Sequence, residues 1–239
     1  MRIRLQYAKT GKIRFSSHRD MARCWERALR RADLPVASSE GFSPRPKLHF
    51  GLALSTGHES LAEYIDVDLR EPEAATVDID GLPGRLTPLL PPGVEVLDAV
   101  EIDRSEPSLQ EAVTSCTWLL EVPGVTPELL EADVHRLLSR PSIPVIRERK
   151  GKEVADDLRP GILDLRVVGA APSDAPEPGA LLEAELATQP RSIRPSELLA
   201  AFDPPRSEGR VRRTHQWITT DGATREPTHA TSRVPSGAR

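Results

Sequence analysis

The chain is expected to fold as α+β, in two tandem ferredoxin-like (split βαβ) sandwiches with antiparallel sheets. Three observations point there. The order strand, helix, strand, strand, helix, strand can be read over residues 2–103. The same order recurs from residue 116, with one strand more than the ideal plan. A length of 239 residues lets two small domains each bury a core of their own.

The first strand is read from Ile3, Leu5 and Tyr7, which alternate with Arg2, Arg4 and Gln6. That is the period of a strand with one buried face. Lys9-Thr10-Gly11 marks a kink, and Ile13 and Phe15 are expected to resume the alternation. A helix follows. Ser17 and Asp20 have the spacing of a capping box, and Met21, Cys24, Trp25, Ala28, Leu29 and Ala32 form a buried stripe ended by Pro35. Leu48, Phe50, Leu52 and Leu54 alternate as a strand, and residues 61–69 form another. Leu82, Leu86, Leu89 and Leu90 support a second helix after Pro83, and residues 94–103 close the first set.

In the second set, CTWLLEVPG is a strand and TPELLEADVHRLLSR a helix with Thr126 as cap and Pro127 at its first position. A strand from Val145-Ile146 runs into RERKGKE. Strands over 162–168 and 181–186, a helix over 196–202 and a strand over 211–219 complete it. The expected domains are therefore 1–104 and 116–220, joined by a polar linker, 105–115. Residues 221–239, poor in large apolar side chains, read as a disordered tail.

Composition narrows the function. Hydrophobic residues make up 38 % and aromatic ones 4 %, so the cores are aliphatic. No apolar run reaches the roughly 18–20 residues of a membrane span, and the N-terminus lacks the apolar block of a signal peptide. A cytoplasmic protein without membrane contact is expected. Cys24 and Cys116 have no CxxC partner and cannot build a four-thiolate centre; both read as small buried hydrophobes. No P-loop, GxGxxG, GxSxG or HExxH is present, and no cofactor or metal is expected.

Charge is uneven. Residues 1–50 carry 12 Lys/Arg against 4 Asp/Glu, whereas residues 51–143 carry 5 against 18. Either a basic face awaits an anionic partner, or the acidic segment neutralises it in the fold. On the first helix Arg19, Arg23 and Arg27 recur every fourth residue, a spacing that suits successive phosphates. The SEGFSPRPKLHFG loop places Arg45, Lys47 and His49 two apart, so an extended backbone projects all three to one side. Gly41, Gly51, Pro44 and Pro46 shape and stiffen this finger; Phe42 either stacks on a base or anchors the loop in the core, the anchor being the preferred reading. In the second domain Arg147, Arg149, Lys150 and Lys152 occupy the matching place. Arg-Pro pairs at 45–46, 159–160 and 194–195 fit a shared face or chance in a chain rich in both residues. His18, in the first turn of the arginine helix, is a weak catalytic candidate.

The run KTGKIRFSSHRDMARCWERALRRADLPVASSEGFSPRPKLHFGLALSTGHESLAEYIDVDL resembles the radical SAM-linked (radical SAM-associated) protein family, a bacterial domain of unknown function. The resemblance continues more loosely through LRPGILDL and RPSELL to about residue 200. In that family the domain is fused behind a cobalamin-binding radical SAM protein or encoded beside one, often near a ribonuclease E/G gene. This chain has no CxxxCxxC and resembles the stand-alone form. The resemblance implies a radical SAM protein as partner and no established activity. Charge and resemblance together lead to an RNA-binding, non-catalytic subunit that presents tRNA or rRNA to that enzyme. Two alternatives stand beside it. One is a metal-independent endoribonuclease resembling the CRISPR repeat-processing enzymes, with His18 as acid or base and Lys47 stabilising charge. The other is a protein-interaction module whose basic face docks an acidic surface.

Overall fold

The computed structural model describes residues 1–149, 151–172 and 174–228, without the side chains of 148 and 149. It is α+β, and its strands pair mostly antiparallel. Two units are formed. The first comprises Met1–Val113 with the chain from Trp217 on, and the second is Thr114–Gln216.

The first unit is built from β1 (Arg2–Lys9), α1 (His18–Arg31), β2 (Leu48–Phe50), β3 (Glu59–Asp68), α2 (Leu82–Leu86) and β4 (Val94–Ile102). β1 lies between β4 and β3, and β2 pairs with the outer side of β3, all antiparallel. Ile3, Leu5, Tyr7, Ile65 and Val67 face α1, where Met21, Trp25, Ala28 and Leu29 close the core. Each fully buried large side chain in that layer stabilises the unit by about 1.5–3 kcal/mol.

Three expectations for this unit are corrected. Residues Gly11–Phe15 form a 3-10 turn rather than continued strand. Gly11 turns the chain at a φ of +68°, half-buried Ile13 packs on the core, and Phe15 stays outside beneath the Arg14 guanidinium. β2 stops at Phe50, so Leu52 and Leu54 are not strand residues. Cys24 is only half-buried, while Cys116 is buried.

The other face of β1 reads as polar in sequence but is not open to water. Arg4 is completely buried and grips Asp66 across the strands, Nε to Oδ1 at 2.7 Å and Nη2 to Oδ2 at 2.9 Å. Its Nη1 donates to the Pro227 carbonyl at 3.3 Å and lies 3.6 Å from Glu106. The Thr228 hydroxyl donates to Gln6 Oε1 at 3.1 Å. Residues 221–228, read as tail, thus hold a turn, β11 (Ala223–Arg225) and a segment packed over Arg4. The disorder expected of residues 229–239 falls outside the described residues. Residues 105–115 contain a short helix, α3 (Leu109–Ala112), capped by Ser108 and Glu111.

The second unit contains β5 (Ser115–Pro123), α4 (Pro127–Leu138), β6 (Pro144–Arg149), β7 (Lys152–Asp157), β8 (Ile162–Ala170), β9 (Gly179–Ala187), α5 (Pro195–Ala200) and the first part of β10 (Val211–Thr220). Its sheet runs β10-β5-β9-β8, the neighbour order of the first unit repeated, while β6 and β7 form a separate hairpin. α4 packs on β8 and β9 and holds buried Asp133 against Arg206 and Arg136. Among the described residues no helix is long and apolar enough to cross a membrane.

Replacing Arg4 with Met would strand Asp66 in a dry layer and is expected to cost about 3–5 kcal/mol of stability in urea titrations. Adding Asp66→Leu should recover most of that loss, because two apolar side chains need no ion partner.

Candidate nucleic-acid interface

α1 is started by Ser17, whose hydroxyl oxygen accepts from the Asp20 N–H at 3.2 Å and whose O–H donates to the Asp20 carboxylate at 2.7 Å. That hydrogen bond, aided by Arg23 and Arg19, holds the Asp20 carboxyl below its usual range. The apolar stripe turns the helix so that Arg19, Arg23, Arg27, Arg30 and Arg31 all face water. Arg23 lies 3.7 Å from Asp20, an exposed pair of small energetic value. Arg27 donates from Nε to the Arg23 carbonyl at 3.2 Å. Among the described residues, no carboxylate of 51–143 pairs with these five guanidinium groups. The acidic segment does not neutralise them.

The carboxylates of β3 have partners of their own. Asp66 is taken by Arg4, and Asp68 accepts from Arg2 Nε at 2.6 Å. His49 Nε2 lies 3.2 Å from the other Asp68 oxygen. Burial pushes the Asp68 carboxyl up, but the hydrogen bonds from Arg2 and His49 outweigh it and hold the group below its ordinary value. His49 is thereby tied to the sheet.

The finger is a small hairpin. Ser38 bridges Pro46, the Ser39 N–H donates to the Arg45 carbonyl at 2.8 Å, and the Arg45 N–H donates to Ser39 Oγ at 3.0 Å. Below it the Lys47 N–H reaches the Ala37 carbonyl at 2.8 Å. The backbone from 45 to 50 is extended, and exposed Arg45, Lys47 and His49 alternate with half-buried Pro46, Leu48 and Phe50. Phe42 corrects its expectation. It is 109 % exposed, because Gly41 at a φ of +120° turns the tip away from the body.

Helix and finger have a definite order. The His18 ring meets Phe50, which is opposite Ile65 of β3, edge-on at 4.8 Å between ring centroids, while the chain leaving α1 bridges Val36 to Leu69, four residues further along the chain from Ile65. The finger therefore rises beside the C-terminal end of α1. The five arginines cover a helix about 21 Å long that leads to it.

In the second unit the proposed basic residues fare differently. Arg147 donates to Asp156 at 3.0 Å, and Arg191 binds the same carboxylate and Glu197. Arg147 is thus committed to holding the hairpin rather than offered to solvent. Lys152 is exposed. Lys150 and the side chain of Arg149 lie outside the described residues. Arg159-Pro160 opens a 3-10 turn and Arg194-Pro195 opens α5, so both pairs have a local structural use.

One pocket is not evident from the sequence pattern. Tyr7, Lys9, His18, Phe50, Glu63 and Tyr64 line a pocket at the head of α1. Lys9 is buried, donates to the Ser16 carbonyl at 3.1 Å, and is pushed down by desolvation against the opposing pull of Glu63. Its signal was present: Lys9 continues the odd-numbered parity of Ile3, Leu5 and Tyr7. Among the described residues no group of three or more His, Cys, Asp or Glu is placed to hold a metal ion.

The family described as an uncharacterized protein conserved in bacteria (DUF2344) matches residues 2–195. The chain belongs to this family. The DUF2344 match takes in α1, the finger, the pocket and the second-unit hairpin, and ends on the first residue of α5. No curated protein matches the chain.

The depressed Asp68 carboxyl contributes stability that is present above its unfolded value near pH 3.9 and is lost as the pH falls through its folded value. Asp68→Asn should therefore melt below the parent at neutral pH, and the gap between the two should shrink as the pH falls below the ordinary aspartate value of about 3.9.

Proposed function

We propose that this protein is an RNA-binding accessory subunit of a separately encoded, cobalamin-binding radical SAM enzyme, acting in tRNA or rRNA modification or processing. The carrying observation is the exposed row of guanidinium groups on α1, left without carboxylate partners from the acidic segment and followed by Arg45 and Lys47 on the finger. Guanidinium forks match phosphate oxygens, and the spacing suits a backbone running along the helix. Two ferredoxin-like units are part of this reading; the repeated neighbour order supports them. The radical SAM partner rests on the resemblance of residues 9–69 quoted above.

Arg19, Arg23, Arg27, Arg45 and Lys47 hold phosphates in this reading. His49 contributes less, since Asp68 already engages it. Arg147 serves the hairpin, and Lys152 remains a phosphate contact.

A second reading, endoribonuclease, gains from one observation. His18 and buried Lys9 line one pocket, and Lys47 is not among its lining residues. Lys9 would replace Lys47 as the charge beside His18. Cleavage of cellular RNA in chelator, lost in His18→Ala, would favour this enzyme over the accessory subunit.

The Arg23→Ala/Arg27→Ala/Arg45→Ala variant should bind structured RNA about tenfold or more weakly and lower the log–log salt slope by about 2, at ~0.7 for each lost contact on a single strand. Equal binding by variant and parent, read by filter binding across a salt series, would end the RNA reading. Co-purification of the radical SAM enzyme that survives nuclease tests the partner separately.

A further inference from the structure

Phe42 is the most exposed large apolar side chain among the described residues, and it stands at the tip of the finger. The stem beneath it is fixed by the bridge of Ser38 to Pro46 and the two hydrogen bonds between Ser39 and Arg45. A Cβ placed on Gly41 would meet nothing within 4 Å, so the tip stands clear of the protein body. The ring is therefore held out by an ordered stem, and its only acidic neighbour in the tip is Glu40. Arg45 and Lys47 follow on the exposed side of the extended backbone.

We infer that the finger is a reader of unpaired nucleotides, in which Phe42 stacks on an exposed base while Arg45 and Lys47 hold the neighbouring phosphates. This rests on the RNA reading above and sharpens it from RNA in general to single-stranded segments such as loops and ends. An aromatic face recognises any base, but only one that has left its helix, because paired bases hide theirs. The flanking cations suit a polyanion. A protein pocket for an anchoring phenylalanine would instead call for apolar neighbours, and Ser43, Arg45 and Lys47 are all exposed and polar.

The test compares a short single-stranded RNA of mixed sequence with the same strand annealed to its complement. Both are titrated at one salt concentration against the parent, Phe42→Ala and Phe42→Trp. The Ala variant should lose roughly 5- to 150-fold in affinity for the single strand and little for the duplex, with an unchanged salt slope. The Trp variant should keep the parent affinity. All three should melt alike, since Phe42 is not packed in the core. Unchanged single-strand binding in Phe42→Ala, with the triple arginine variant still weakened, would overturn the stacking role and leave the RNA reading intact. A parent that binds neither RNA would overturn both. Loss of a co-purifying protein from Phe42→Ala in nuclease-treated extract, with RNA binding unchanged, would overturn the inference in favour of a protein anchor.

Discussion

The pairing of β1 with β3 decides what the rest of the first unit can offer. Its polar side aligns Arg2 with Asp68 and Arg4 with Asp66, and Arg4 is enclosed so fully that its charge has no access to water. A buried guanidinium is tolerable only with a bidentate carboxylate and a filled remaining donor, and Asp66, Pro227 and Glu106 meet that demand. The β3 carboxylates are thereby used internally. The arginines of α1, on the opposite layer, stay exposed to solvent.

This division resolves the ambiguity of the charge pattern. Counting residues placed 12 cations before an acidic stretch and could not say whether they meet. Arg2 and Arg4 of β1 meet Asp68 and Asp66 because strand register brings them opposite, and Arg14 reaches Glu59 from the turn after β1. The helix cations cannot follow, since the stripe of Met21, Trp25, Ala28 and Leu29 points the arginine face the other way. Hydrophobic burial sets the direction of the helix, and the orientation of charge follows from it.

Much of the fold was legible where one local rule acted alone. The Ser17 cap, the α1 stripe apart from Cys24, the Thr126-Pro127 start and the strand at β1 all rest on short-range spacing and hold in the structure. Misreadings arose where tertiary context chose between locally equal options. Residues Gly11–Phe15 alternate like a strand but turn at Gly11. Phe42 looks like core to any composition argument, yet Gly41 and a paired stem hold it out. Arg4 looks exposed by parity, and a segment more than 220 residues away in sequence covers it. Of the candidate site, the residues and their spacing on α1 could be read directly. The loss of Arg147 to Asp156, and the joining of Lys9 with His18, depend on contacts between separate elements.

The first unit is interrupted in sequence: the whole of Thr114–Gln216 is made between its two pieces. Chains emerge from the ribosome N-terminus first, so α1 is synthesised long before its own layer can be finished. Arg4 waits for the carbonyl of Pro227, and Gln6 for the hydroxyl of Thr228, until residue 228 has been translated. The unit that carries the basic helix is therefore complete only after residue 228 has been made, and a shorter nascent chain carries α1 on a sheet whose other face is still unsealed.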